Sequence, residues 1–249
     1  FHVRTYVLCV GALRVFVFGD MLLLLAAEAY DPRAAPGDRD GDFDVFAHLT
    51  NTARAAEHLS FSEEKFVHTL RDLPALLLHS SDDHSDNNST STSTSTSTSS
   101  SSGEQRAAQA AWAEGLAASV EAQIHRLTGE LFASYESEYS VFAPMRHCFE
   151  LFGLDFLVDA AGKAWFLEAN PGPDFVQTGE RLRAVITGLW EAVGRAVLDS
   201  RALDGVREED GVRGEGVCRV PCDGCKDLTL VYSKEWSVSR MGAGNMKMQ

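Results

Sequence analysis

Residues 149–174 read Phe-Glu-Leu-Phe-Gly-Leu-Asp-Phe-Leu-Val-Asp-Ala-Ala-Gly-Lys-Ala-Trp-Phe-Leu-Glu-Ala-Asn-Pro-Gly-Pro-Asp. Two apolar, aromatic-rich runs flank Asp159-Ala160-Ala161-Gly162, a turn signal, so the stretch predicts a β-hairpin. Asp155, Glu168 and Asn170 sit inside those runs. A carboxylate within a buried strand costs several kcal/mol, on the order of a lost ion-pair partner, unless it is paired or holds a metal.

Side chains alternate along a strand, so Glu168 and Asn170 share one face. A loop of two residues (Ala160-Ala161) or four (Ala160 to Lys163) puts Asp155 on that face too, whereas a three-residue loop puts it on the other. The even loops gather two carboxylates and an amide oxygen. Few hard oxygen donors, with room left for water and phosphate, suit Mg²⁺. The plainer alternative is a set of edge-strand charges facing solvent.

The front of the chain carries a second β-rich region. Val3, Thr5 and Val7 alternate with Arg4, Tyr6 and Leu8, and Gly11-Ala12 leads into Leu13–Phe18, a further hairpin. Arg4 on an inner face suits paired oxygens of a phosphate or carboxylate, or else a salt bridge at the sheet edge. Met21–Tyr30 is apolar and of ambiguous type, and Asp31–Asp44, rich in Pro, Gly and Asp, reads as a loop. His48-Leu49-Thr50-Asn51 precedes a helix-like stretch. Thr50 or Asn51 can serve there as N-cap, and a helix N-terminus is also a place for an anion.

Phe61–Leu78 has helical spacing and should end near Pro74. Ser80–Ser102 is a Ser/Thr, Asp and Asn tract too poor in apolar residues to offset its ordering entropy, and is read as a disordered insert. Trp112, Leu116, Val120, Ile124, Leu127 and Leu131 form one apolar helix stripe, read as core. Leu182, Val185, Ile186, Leu189, Val193 and Val197 mark another helix after Pro171-Gly172-Pro173. The division expected is 1–198 as one partial domain, interrupted at 80–102, with 199–249 as linker and loosely structured tail. Within that tail Cys218–Trp236 could form a small hairpin.

The 249 residues are 45% hydrophobic, enough for one sizeable core. A net charge of −14 argues against direct nucleic-acid binding or an anionic membrane as main partner. No apolar run approaches the roughly 18 residues of a spanning helix. Cys9 and Cys148 lie in apolar contexts and read as buried thiols. Cys218-x3-Cys222-x2-Cys225 lacks a fourth zinc ligand and reads as reduced surface cysteines. An odd cysteine count favours a reducing, intracellular compartment.

The wording Phe149-Glu150-x-Phe152-Gly153-x-Asp155-Phe156 … Trp165-Phe166-Leu167-Glu168-x-Asn170 resembles the tubulin–tyrosine ligase family. Phe1-His2-Val3-Arg4-x-Tyr6-Val7-Leu8 and His48-Leu49-Thr50-Asn51 agree, in the family's order. The resemblance covers residues 1 to about 60 and 140 to about 198. It implies the C-terminal part of an ATP-grasp domain, α+β, with an antiparallel sheet and packed helices. The activity implied is ATP-dependent carboxylate–amine ligation through an acyl phosphate, adding an amino acid to a protein acceptor, with tubulin the type case. ATP and Mg²⁺ are the implied cofactors. Asp155, Glu168 and Asn170 would hold the metal, Arg4 would be catalytic and contact phosphates and acceptor, and Thr50 and Asn51 would bind nucleotide or substrate. The chain reads as a fragment lacking the front of the domain, and as cytoplasmic. Two departures stand out. Closer relatives of the tubulin enzyme have an acidic residue at His2, and a second arginine where this chain has Leu24. The Met21-Leu22-x-Leu24-x-Ala26-Ala27-Glu28-x-Tyr30 wording is similar to fungal members, multidomain proteins some of which associate with RNA-processing bodies. An impaired ATP-grasp scaffold in such a setting, within cytoplasmic RNA granules, is therefore the alternative.

Overall fold

A computed structural model describes residues 1–28, 45–48, 50, 62–82, 101–136, 138–204 and 227–234. Strand β1 (His2–Val10) lies at the centre of a seven-stranded antiparallel sheet. Along one side it pairs with β5 (Phe149–Val158) over its whole length. On its other side β2 (Arg14–Phe18) pairs with residues 7–10, and β3 (Leu22–Leu24) with residues 2–4. β6 (Ala164–Pro171) lies outside β5, β7 (Leu228–Ser233) outside β2, and β4 (Val67–Thr69) outside β3.

Every residue of β1 is buried, because helices cover both faces of the sheet. Val3, Val7 and Cys9 join Phe152, Leu154 and Phe156 beneath α3 (Leu73–Asp82) and α4 (Ser101–Ser134). Tyr6, Leu8 and Val10 join Leu151 beneath α5 (Arg183–Asp204), whose Val185, Leu189 and Val193 point inward. The alternation in β1 thus feeds two cores, one on each face. The α+β architecture of antiparallel sheet and packed helices is the one anticipated. Short helices α1 (Val45–His48) and α2 (Glu63–Phe66) complete the described elements. Among the described residues no helix is long and apolar enough to cross a membrane.

Several expectations are corrected. The single helix read over 61–78 is instead α2, strand β4, a 3-10 turn and α3. Pro74 sits in the first turn of α3, where its missing N–H leaves no intrahelical bond unmade, so it starts a helix rather than ending one. Trp112 is 59% exposed, since the α4 stripe runs past the sheet and only Val120 and Ile124 reach full burial. Cys148 is exposed while Cys9 is buried, its thiol pushed up by burial. The insert, apart from its two helical ends, lies outside the described residues, as do 31–44 and Cys218, Cys222 and Cys225.

Of the expected linker and tail, 199–249, residues 199–204 and 227–234 are described. Helix α5 continues to Asp204, and Leu228–Ser233 adds β7 to the sheet along β2. Gly129 of α4 allows this, since a Cβ there would stand 2.8 Å from the Val231 carbonyl oxygen. Gly129→Ala therefore sets about 1 kcal/mol of helix propensity against a backbone clash. The clash should win, with a net loss of about 1–2 kcal/mol in a urea titration. Stabilisation would mean that β7 does not bear on α4.

Candidate functional site

The register of the β5–β6 hairpin decides what its polar residues can do. Val158 pairs with Ala164, so the connection is five residues, 159–163, and neither two nor four. Asp159 closes it by accepting the Ala161 and Lys163 N–H groups at 2.9 and 3.0 Å. An odd loop carried down a regular ladder would set Asp155 opposite Leu167 and on the wrong face. A bulge intervenes between Asp155 and Phe156: Phe156 pairs with Phe166 but Asp155 pairs with Glu168. Leu167 is the extra residue, and it restores the parity. Asp155, Glu168 and Asn170 consequently share the α5 face of the sheet, as the two even loops would also have had it.

Helix α4 holds this hairpin in place. Gln123 donates from Nε2 to the Gly162 carbonyl at 2.9 Å and accepts the Ala164 N–H on Oε1 at 3.1 Å. Its amide therefore caps the turn as a short strand would. Nothing in the apolar stripe of α4 signals this residue.

Asp155 is 2% exposed, Glu168 lies at the surface, and Asn170 is half-buried between them. The Asn170 Nδ2 group donates to Glu168 Oε1 at 3.0 Å and to Asp155 Oδ2 at 3.3 Å. One amide thus bridges both carboxylates.

β1 supplies the opposite charge. Arg4, paired with Asp155 in the β1–β5 register, donates from Nε to Oδ1 at 2.7 Å and from Nη2 to Oδ2 at 2.5 Å. This is a bidentate fork, the strongest arrangement for this pair. His2 Nε2 stands 2.9 Å from Oδ1, within ion-pair distance but not aimed for a hydrogen bond. Burial alone would raise the Asp155 pKa, but the His2 and Arg4 contacts outweigh it and bring it to about 2. Burial likewise disfavours charge on Arg4, and the Asp155 contact more than compensates, so its pKa is raised. Of the two sequence readings of Arg4, the described geometry shows an ion pair, central in the sheet rather than at its edge.

The segment after β6 crosses the same face beside this cluster. Pro173 packs on Gly153, where an added Cβ would approach the proline Cβ to 3.0 Å. Tyr6 and Thr178 share a hydroxyl hydrogen bond of 2.8 Å, and Phe175 packs tilted against Tyr6 and edge-on to Trp190, with ring centroids 5.6 and 5.8 Å away. Burial pushes the Tyr6 hydroxyl pKa up, with the Thr178 bond opposing. Among the described helices, α5 covers this face over Tyr6, Leu8 and Val10. Leu24 is fully buried on this face and pairs with His2. Thr50 is half-buried, and Asn51 lies outside the described residues.

Among the described residues no cluster of three His, Cys, Asp or Glu side chains could hold a metal. Two carboxylates in cross-strand register, bridged by one amide, nevertheless match what Mg²⁺ requires when phosphate and water complete its shell. A half-turn of the Asn170 amide would present its oxygen instead of its nitrogen. The donor set fits the ion.

The tubulin–tyrosine ligase family model matches residues 1–58 and 56–202. The chain is 29% identical over 194 residues to a probable tubulin–tyrosine ligase of Schizosaccharomyces pombe, spanning 78% of this chain and 36% of that protein. It is 30% identical over 193 residues to the probable tubulin–tyrosine ligase PBY1 of Saccharomyces cerevisiae, spanning 77% of this chain and 21% of the relative. It therefore spans about a third and about a fifth of those relatives' lengths. A crystal structure of the C-terminal domain of Kluyveromyces lactis Pby1, an ATP-grasp enzyme interacting with the mRNA decapping enzyme Dcp2, aligns over 80% of this chain and 43% of its own. That alignment has 27% identity and a TM-score of 0.48.

Proposed function

The chain belongs to the tubulin–tyrosine ligase family, and we propose that its hairpin site serves an ATP-dependent, ATP-grasp carboxylate–amine ligase that adds an amino acid to a protein. The observation carrying this reading is the cross-strand facing of Asp155 and Glu168 with Asn170 between them. Asp155, Glu168 and Asn170 would hold Mg²⁺. When bound, Mg–ATP supplies the activated phosphoryl group and neutralises the charge that develops as it moves to the carboxylate.

The protein's own part is positional and electrostatic. Arg4, held rigidly by Asp155, presents a fixed cation on the sheet face to phosphate oxygens and then to the acyl phosphate. Thr50 and Asn51 belong to the nucleotide or substrate side. An amine entering opposite the leaving phosphate completes the amide, and phosphate departs. Tubulin, or another protein with an exposed carboxylate, is the acceptor class, and the setting is cytoplasmic.

The test is incorporation. Full-length protein, Mg–ATP, labelled tyrosine or glutamate and tubulin or total cell protein should give acid-precipitable label that depends on ATP. Nucleotide binding without incorporation would favour a second reading, that of a scaffold which keeps the nucleotide site and has lost acceptor contacts. Leu24 favours that alternative, because a fully buried leucine beside His2 cannot hold an anionic acceptor.

A further inference from the structure

Strand β5 outruns β6 at its first end. The Gly172 N–H, donated to the Leu151 carbonyl at 3.0 Å, closes the pairing, and the chain then turns away at Gly172, where φ is 64°. Phe149 and Glu150 lie beyond that point, paired with β1 but with no partner in β6. The ladder fixes where their backbone groups point. Val158 donates to the Phe1 carbonyl and Gly11 to the Cys148 carbonyl, so the even-numbered residues of this strand turn their N–H and C=O groups toward β1. The odd-numbered ones turn theirs outward, as Leu151 does. The N–H and C=O of Phe149 therefore face an edge that no described residue occupies. Side chains there divide between the two faces. Phe149 and Leu151, with Pro173, Phe175 and Trp190, line a groove of about 450 Å³ on the α5 side. Phe149 is 43% and Trp190 47% exposed, so two of its aromatic walls stand open. Glu150 borders this groove but pairs with Cys9 of the opposite core, so its side chain belongs to the other face. It is exposed and makes no ion pair among the described residues. Asp174, exposed between Pro173 and Phe175, likewise makes none.

We propose that this edge binds an extended peptide of a partner protein by strand addition, and that the peptide alternates apolar and basic side chains. A residue set opposite Phe149 exchanges two backbone hydrogen bonds with it and, by the parity of the sheet, drops its side chain into the groove. The residue beside it lies against Glu150 on the other face, where Lys or Arg meets an uncompensated carboxylate. The residue after that returns to the groove. The net charge of −14 favours the same cationic partner. Proline cannot supply the N–H that Phe149 accepts, which separates this mode from a polyproline helix laid on the aromatic rings. The edge is also separate from the carboxylate cluster. Phe149 precedes Asp155 by six residues of one strand, about 20 Å, so peptide binding requires neither metal nor nucleotide.

The experiment follows the fluorescence anisotropy of a labelled peptide, Gly-Ser-Phe-Lys-Leu-Ser-Gly, titrated with the full-length protein. Replacing the peptide's lysine by glutamate should weaken binding about tenfold, because an attraction becomes a repulsion. N-methylation of its Phe and Leu amides, the two that face the edge, should weaken binding about fivefold or more. N-methylation of the lysine amide, which faces solvent, should change it less than about twofold. Glu150→Lys, at an exposed position, should invert the preference between the lysine and glutamate peptides. Trp190→Ala should cost about tenfold by opening one wall of the groove. Binding indifferent to which amides are methylated would overturn strand addition in favour of side-chain docking alone. A lysine preference that survives Glu150→Lys would overturn the register. Absence of binding, or a dimer in sedimentation whose formation excludes the peptide, would overturn the proposal outright.

Discussion

Glu168→Gln should abolish the thermal stabilisation that Mg–ATP confers on the full-length protein, while its melting temperature without nucleotide stays within about 2 °C of wild type. The second half of that statement follows from exposure. Glu168 lies at the surface of strand β6, contributes no packing, and accepts one hydrogen bond from Asn170. Glutamine is of similar size and keeps an acceptor oxygen there. The first half follows from charge. Without Glu168 the site has one carboxylate left, and Arg4 already neutralises it. A ligand at a hundred times its dissociation constant stabilises by about 2.7 kcal/mol, several degrees in a domain of this size, and all of it should be lost. An unchanged nucleotide response in Glu168→Gln would remove the metal role from this hairpin.

Asp155→Asn should have the larger effect on the fold itself. At neutral pH it strands the Arg4 guanidinium in the protein interior without a counter-charge, which costs about 3–5 kcal/mol. The cost depends on pH in a calculable direction. The folded pKa of Asp155, about 2, lies below its ordinary value of 3.8. The native state therefore holds its proton less tightly than the unfolded chain does. The stability this supplies is complete above about pH 4 and is lost as the pH falls through about 2. The difference of nearly two pKa units corresponds to about 2 kcal/mol. Urea midpoints at pH 7, 4 and 2.5 should show wild type and variant converging by about that amount toward acid. A gap independent of pH would mean that Asp155 is not ionised against Arg4.

The sequence made the hairpin legible because its signals are local: β-rich runs, a turn, and three polar side chains at alternating positions. The same holds for the two inner faces of β1 and for the face of α5 that carries Val185, Leu189 and Val193. What could not be read depends on distant partners. Parity across the hairpin hangs on one extra residue, Leu167, and a bulge among apolar residues looks like any other strand. The Arg4–Asp155 fork needs the β1–β5 register, which joins segments about 150 positions apart. A β-prone run is legible within 218–236, but not that β2 offers an edge to Leu228–Ser233. Periodicity assigns Trp112 to the core because it finds a helix face but not where the sheet beneath it stops.

The central position of β1 also sets a clock on biosynthesis. Arg4 and Asp155 are 151 residues apart. At about 5–20 residues per second, the ribosome delivers Asp155 some 8–30 seconds after Arg4. Until then a strand destined for burial on both faces has no neighbour on its β5 side, and its arginine lacks Asp155. Topology of this kind, dominated by pairings remote in sequence, folds slowly. Nascent chains stalled before residue 149 should hence expose β1 to chaperones, and chains stalled well past residue 171 should release it.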